Sequence, residues 1–132
     1  MAVDQDKLVY EAKRVRAYAH APYSGFHVGV ALQDENGQIH VGCNVENSSF
    51  PEGACAETGA IAAMVASGGK RIVAIVAVGG KDDLEYCAPC GGCRQRILEF
   101  ADETTQVVYL NSAGEFENVG IDSLLPTSFR LK

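Results

Sequence analysis

The sequence predicts an α/β fold of three layers, with helices packed on both faces of a mixed five-stranded sheet. Three observations carry this. An alternating pattern doubles back through one turn, residues 72–78 form an unbroken apolar run, and helical periodicity appears before and between the strands.

Taken in order, residues 4–19 place Leu8, Ala12, Val15 and Ala19 at helical spacing, with Asp4 positioned as N-cap. This helix should run to His20-Ala21-Pro22, where proline forces the chain out. Val28, Val30 and Leu32 alternate with smaller or polar residues as a half-buried strand. Asp34-Glu35-Asn36-Gly37 is a turn. Ile39, Val41, Cys43 and Val45 alternate again and complete a hairpin, with Cys43 an inward core residue. Residues 55–67, rich in alanine with Ile61, Met64 and Val65, read as a buried helix closed by Gly68-Gly69. The run 72–78 suits a central strand covered on both faces. A third helix starts near Cys90 and carries Ile97, Leu98 and Phe100. Residues 106–110 form another strand and 115–119 a short edge strand. The tail after Leu125-Pro126 is too short for a further element, yet it carries Phe129 and two basic residues.

A chain of 132 residues suffices for one compact domain and not for two, so residues 1–132 are read as a single domain. Its 47% hydrophobic and 21% charged residues are the proportions of a soluble globular protein. No apolar run approaches the roughly 18 residues of a membrane span, and the N-terminus MAVDQDKLVYEAKR lacks a signal peptide's apolar centre. A cytoplasmic protein without a membrane partner is the expectation. In that compartment five cysteines point to metal binding or catalysis rather than disulfides. The net charge is −6 and the basic residues are scattered. A polynucleotide surface needs a basic stripe, so the pattern favours a small neutral ligand and no nucleic acid.

Three cysteines fall in two short motifs, Cys55-Ala56-Glu57 and Pro89-Cys90-Gly91-Gly92-Cys93. A Cys-x-x-Cys at a helix start puts both thiols on one face, because residues three apart are neighbours there. The positive end of the helix dipole favours their thiolates, and Pro89 suits a helix start. Cys55 and Glu57, two apart, are separated by about 200° of helical rotation. They converge only if a metal lies off the helix end, facing its N-terminus. Two helix N-termini meeting at one ion satisfy both spacings. Structural zinc sites are closed by four protein ligands, whereas catalytic sites use three and leave one position to water. Three thiolates beside a carboxylate that is not a ligand leave that position open, next to a proton carrier. His or Cys, then x-Glu, then Pro-Cys-x-x-Cys is the signature of zinc nucleobase deaminases. Two other readings stay open. Cys87-Ala88-Pro89-Cys90 is a second Cys-x-x-Cys, so Cys55, Cys87, Cys90 and Cys93 could close a structural zinc site in an interaction module. That arrangement leaves Glu57 without a role. A lone Cys-x-x-Cys can also be a redox pair. His20, His27 and His40 lie away from the metal motifs and are given no chemistry.

On these residues the chain resembles the small homotetrameric zinc-dependent cytidine deaminases, within the cytidine and deoxycytidylate deaminase family, over most of its length. Residues 22–31, Pro-Tyr-Ser-Gly-Phe-His-Val-Gly-Val-Ala, are similar to the family's approach to its first strand. Gly42-Cys43-Asn44-Val45-Glu46-Asn47 resembles its ribose-binding segment, Cys93-Arg94-Gln95 follows the second metal motif, and Leu124-Leu125-Pro126-x-x-Phe129 closes the chain. Independently of that likeness, Asn44 and Glu46 share one face of a strand end and offer the acceptors and donor that sugar hydroxyls need. A carboxylate there would repel a phosphate and so favours a nucleoside over a nucleotide.

The resemblance implies one Zn²⁺ per chain on Cys55, Cys90 and Cys93, and Glu57 as the group that shuttles protons. It implies that Phe26 packs near the ribose or base and that backbone at Ala56 and Ala88 meets the pyrimidine. The reaction implied is hydrolysis of cytidine or 2′-deoxycytidine to the uridine and ammonia, by attack of zinc-activated hydroxide at C4, in pyrimidine salvage. A homotetramer with shared active sites is implied too, Phe129 of one subunit stacking on the base held by another. A blasticidin-S-type deaminase shares both metal motifs and is the nearest rival, although residues 44–47 favour an ordinary ribose. Two departures stand out. Thr58 occupies a position where many relatives carry an arginine that offsets the thiolates, so the helix dipoles and Arg94 or Arg96 must compensate. Phe50 stands where several relatives have tyrosine.

Overall fold

In the computed structural model, which describes residues 2–131, Asp4 caps the first helix as expected. Its Oδ1 accepts the Lys7 N–H at 3.1 Å, and α1 runs Gln5–Arg16. Met1 and Lys132, the two ends of the expected domain, lie outside the described residues. The helix stops at Arg16 rather than Ala19, because His20 is claimed by the sheet. The His20 N–H donates to the Asn44 carbonyl at 3.0 Å, and the His20 carbonyl accepts from Glu46 at 2.8 Å. That bridge takes the chain out of the helix before Pro22 is reached. Arg16 then pins the helix end to the sheet, donating to the His27 and Gly80 carbonyls at 2.9 and 2.8 Å.

The hairpin pairs β1 (His27–Asp34) with β2 (Ile39–Cys43), Ala31 opposite Val41. Asp34 locks the turn: Oδ1 accepts the Asn36 and Gln38 N–H groups, while Oδ2 meets His40 Nε2 at 2.8 Å in a buried pair. β2 is covered on both faces: Ile39 and Val41 pack against the core under α1, while the other face lies under α2 (Ala56–Ala66). His40 and Gly42 are buried, whereas Ile39, Val41 and Cys43 are half-buried, so Cys43 is not a core residue. The reason lies in α2, which rests directly on Gly42. A Cβ at that position would stand 2.4 Å from the Ala56 carbonyl oxygen and 2.5 Å from the Ala60 nitrogen. Only glycine permits this approach.

Strands β3 (Ile72–Gly80), β4 (Gln106–Leu110) and β5 (Phe116–Val119) complete a five-stranded sheet of order β2-β1-β3-β4-β5. β3 and β4 run parallel, joined through α3 (Gly91–Glu99), and the remaining pairs are antiparallel. Alternate residues of the central strands feed two cores. Ile75, Ala77 and Val107 pack with Ala60, Met64 and Ile97 under α2 and α3, while Ala74, Val76 and Val108 pack with Leu8 and Ala12 of α1. These are the three layers of the predicted α/β fold. Burial of an Ile97-sized side chain is worth roughly 2–5 kcal/mol against truncation to alanine.

Two details depart from expectation. A short helix α4 (Ile121–Leu124) precedes the tail, burying Ile121. Helix α2 is buried on one face only; Val65 on the other is 50% exposed. Among the described residues no helix is long and apolar enough to cross a membrane.

Candidate active site

The site follows from where two strands finish. Cys43 of β2 lies opposite Gly29, and Gly80 of β3 lies opposite His27, so both strands end at the same end of the sheet. The segments that leave them return to the N-termini of α2 and α3. Cys55 is the N-cap of α2 (φ −72°, ψ 157°) and Cys90 the N-cap of α3 (φ −67°, ψ 167°). Neither caps its own helix through its side chain. Cys93 sits in the first turn of α3, buried.

The sulfurs of Cys55, Cys90 and Cys93 all lie within 4.8 Å of one another. Tetrahedral zinc with thiolate ligands separates sulfurs by about 3.8 Å, so this soft donor set and its spacing fit zinc. Cys87 is not part of that cluster. Its sulfur and the ring edge of Phe26 close on Gly79, 2.7 and 2.9 Å from where a Cβ would stand. Burial, then the charge of Glu57, pushes the Cys87 thiol up to about 12.

Glu57, in the first turn of α2, is 5% exposed. Burial pushes its carboxyl above the usual carboxylate range, although the backbone at the helix start, the Cys93 thiol and Arg96 all favour the charged form. Burial likewise raises Cys55, and burial followed by the Glu57 charge raises Cys93. For Cys90 burial is outweighed by the Cys93 N–H and by hydrogen bonds with the Cys93 and Cys55 sulfurs, which hold its thiol below the ordinary value. A bound dication reverses the upward shifts, since a coordinating thiol is deprotonated outright.

Of the two arginines offered by the sequence, Arg94 donates to carbonyls, Nε to Pro89 at 2.7 Å and Nη1 to Leu124 at 3.0 Å. Arg96 reaches the thiols instead, Nη1 lying 3.7 Å from the Cys93 sulfur. Thr58 has a buried Oγ1 with no hydrogen-bond partner.

Beside the thiols a cavity of about 540 Å³ is lined by Asn44, Glu46, Cys55, Tyr23, Ser24 and Phe50, among others. Asn44 bridges strand ends rather than hanging free: Oδ1 accepts the Val28 N–H and Nδ2 donates to the Phe26 carbonyl, each at 2.8 Å. Glu46 accepts from the Tyr23 and Ser24 N–H groups at 2.9 and 3.1 Å and from the Ser24 hydroxyl. That hydroxyl first, then the two N–H groups and His20, hold the Glu46 carboxyl below its usual range despite some desolvation. Ser24 was not singled out by sequence reasoning. Its signal was the serine of a turn beside glycine, and its hydroxyl also accepts the Phe26 N–H at 2.9 Å.

The other expected substrate contacts, Phe26, Ala56 and Phe129, are not among the residues that line this cavity. Phe26 is half-buried against Gly79 and Cys87, and Ala56 opens α2 with its backbone against Gly42. Phe129 is 68% exposed on its own chain; its carbonyl accepts from Gln95 Nε2 at 3.1 Å, tying the tail to α3.

Comparison with known proteins gives a consistent result. Residues 2–111 match the family described as the cytidine and deoxycytidylate deaminase zinc-binding region. A curated cytidine deaminase of Sporosarcina psychrophila is 39% identical over 127 residues, 96% of this chain and 92% of its own. The crystal structure of cytidine deaminase from Burkholderia pseudomallei is similar with a TM-score of 0.86 at 38% identity, over 96% of this chain and 100% of that one. For the cytidine deaminase of Mycobacterium tuberculosis the values are 0.84 and 34%, over 98% and 100%.

Proposed function

Because the chain belongs to the cytidine and deoxycytidylate deaminase family, we infer that it hydrolyses cytidine, and 2′-deoxycytidine, to the uridine and ammonia. The observation that carries this reading is the meeting of three thiols at two helix N-termini with the buried carboxyl of Glu57 beside them. Cys55, Cys90 and Cys93 hold one zinc ion per chain, and the separation of Cys87 from that cluster supports an open rather than a closed site. Zinc, when bound, lowers the pKa of water and so supplies the nucleophile near neutral pH.

The remaining work falls to the chain. Glu57 takes one proton from the attacking water and delivers it to ring N3, so that C4 becomes electrophilic; it then takes the second from the new C4 hydroxyl and passes it to the departing amine. A C4–O bond forms, the C4–N bond breaks, and ammonia leaves. Burial suits Glu57 to this task, since its proton transfers are kept apart from bulk water. Asn44 and Glu46 hold the ribose hydroxyls, and the Glu46 carboxylate disfavours a substrate phosphate. Phe26 and the backbone at Ala56 and Ala88 frame the base.

The working assembly is a homotetramer in which Phe129 reaches the base bound by a neighbour. Exposed Phe50 (76%), Phe129 (68%) and the outward Val65 of α2 support it, being apolar surface that association would cover. The chain acts as one domain, in the cytoplasm. Ammonia release from cytidine by the zinc-loaded chain tests the reading. A steady release stoichiometric with uridine is expected, and none, with zinc bound, would refute it.

A further inference from the structure

Zn²⁺ with three thiolates carries a net −1, and Glu57 lies beside them. Of these groups Cys93 and Glu57 are buried, and buried charge of one sign is costly unless it is paired. The N-termini of α2 and α3 contribute, but each is worth only about half an elementary charge. The first turn of α2 adds no cation, since Thr58 is neutral and its buried hydroxyl has no partner. On α3, Arg94 is held by the Pro89 and Leu124 carbonyls. Arg96 is one turn beyond Cys93, and its Nη1 meets the Cys93 sulfur at 3.7 Å. Gly92 leaves room for it: a Cβ there would stand 3.2 Å from that same nitrogen.

We propose that Arg96 is a positioning residue of the metal site, supplying through the Cys93 sulfur the positive charge that keeps zinc bound. It is not among the residues that line the cavity, and it acts through the ligand it contacts. The proposal rests on the ligand assignment above. Partners of this kind typically change metal affinity 10- to 100-fold when removed. Because the contact is a single one and not a fork, a point charge on a stem of similar length can serve in its place.

The test is the rate of zinc loss from the loaded enzyme to excess 4-(2-pyridylazo)resorcinol, followed by colour. Arg96→Gln and Arg96→Met should both release zinc roughly 10- to 100-fold faster than the unaltered chain. Arg96→Lys should restore most of the retention. Unchanged release from both neutral variants would overturn the proposal, and so would equal release from the lysine and glutamine variants. An unaltered chain that binds no zinc would instead overturn the ligand assignment.

Discussion

Cys55 and Cys90 occupy the same station on different helices: each is an N-cap residue with extended backbone, and neither turns its side chain onto its own helix. An N-cap usually satisfies one of the four orphan N–H groups with a side-chain oxygen. Here two helices forgo that bond and present sulfur to a common point, together with Cys93. Alanine at Cys55, Cys90 or Cys93 should therefore abolish stoichiometric zinc, while Cys87→Ala should retain it. Metal analysis of the four purified variants checks this. Loss of zinc from Cys87→Ala with retention in Cys55→Ala would reverse the assignment.

The Glu46 carboxylate is already placed by the loop at Tyr23 and Ser24 before any ligand arrives. Glu46→Ala should raise KM for cytidine on the order of ten-fold, as loss of a charged hydrogen bond implies, with zinc content unchanged. Ser24→Ala should act in the same direction but more weakly, since two backbone N–H groups still hold the carboxylate. Steady-state kinetics would show kcat/KM unaltered in both variants if neither group served the ribose.

Asp34 and His40 make a buried pair at the hairpin turn, with side chains 2% and 8% exposed. The pair and the Asn36 and Gln38 N–H groups outweigh burial and hold the Asp34 carboxyl below its usual value. Its stabilisation is complete above the unfolded value of about 3.9 and is lost as pH falls through the lower folded value. Asp34→Asn should cost about 2–3 kcal/mol near neutrality. Thermal unfolding should show that deficit narrowing as the solution becomes more acid than the unfolded value. A gap independent of pH would mean that the charge on Asp34 contributes nothing.

The exposed Phe129 makes a prediction about assembly. Truncation after Pro126 should raise KM for cytidine, by the roughly 1–3 kcal/mol of base–aromatic stacking, without loss of zinc. Mixing Phe129→Ala chains with chains inactive at Glu57 should restore activity, because a hybrid can pair an intact pocket with an intact tail. Full activity from a species that sediments as a monomer would exclude a shared site.

Much of this architecture was legible in the residues. The apolar run 72–78 and the hairpin alternation mark the sheet because side-chain burial repeats with the pleat. Cys55 and Cys90 announced two helix starts because their spacing to Glu57 and Cys93 makes sense only there. The failures share a cause. Gly42 is buried by the backbone of α2, and a glycine gives no hydrophobic signal, so the apolar alternation shows the face of β2 toward α1 and not the one under α2. The end of α1 depends on a bridge from His20 to Asn44 and Glu46, a long-range contact that local periodicity does not encode. Helix α4 is four residues long, below the length at which helical periodicity can be recognised. The choice between Arg94 and Arg96 was nearer to hand, because residues three apart on a helix are neighbours and Arg96 is three from Cys93.

The central claim is that a zinc site of three thiols works with Glu57 as its proton carrier. Its most direct test measures zinc content and ammonia release from cytidine on one preparation of Glu57→Gln beside the unaltered chain. The account predicts one zinc per chain in both, with kcat of the variant lower by at least the roughly 10²–10⁴-fold typical of general acid–base catalysis. Near-normal turnover by the variant would contradict it and remove Glu57 from the chemistry.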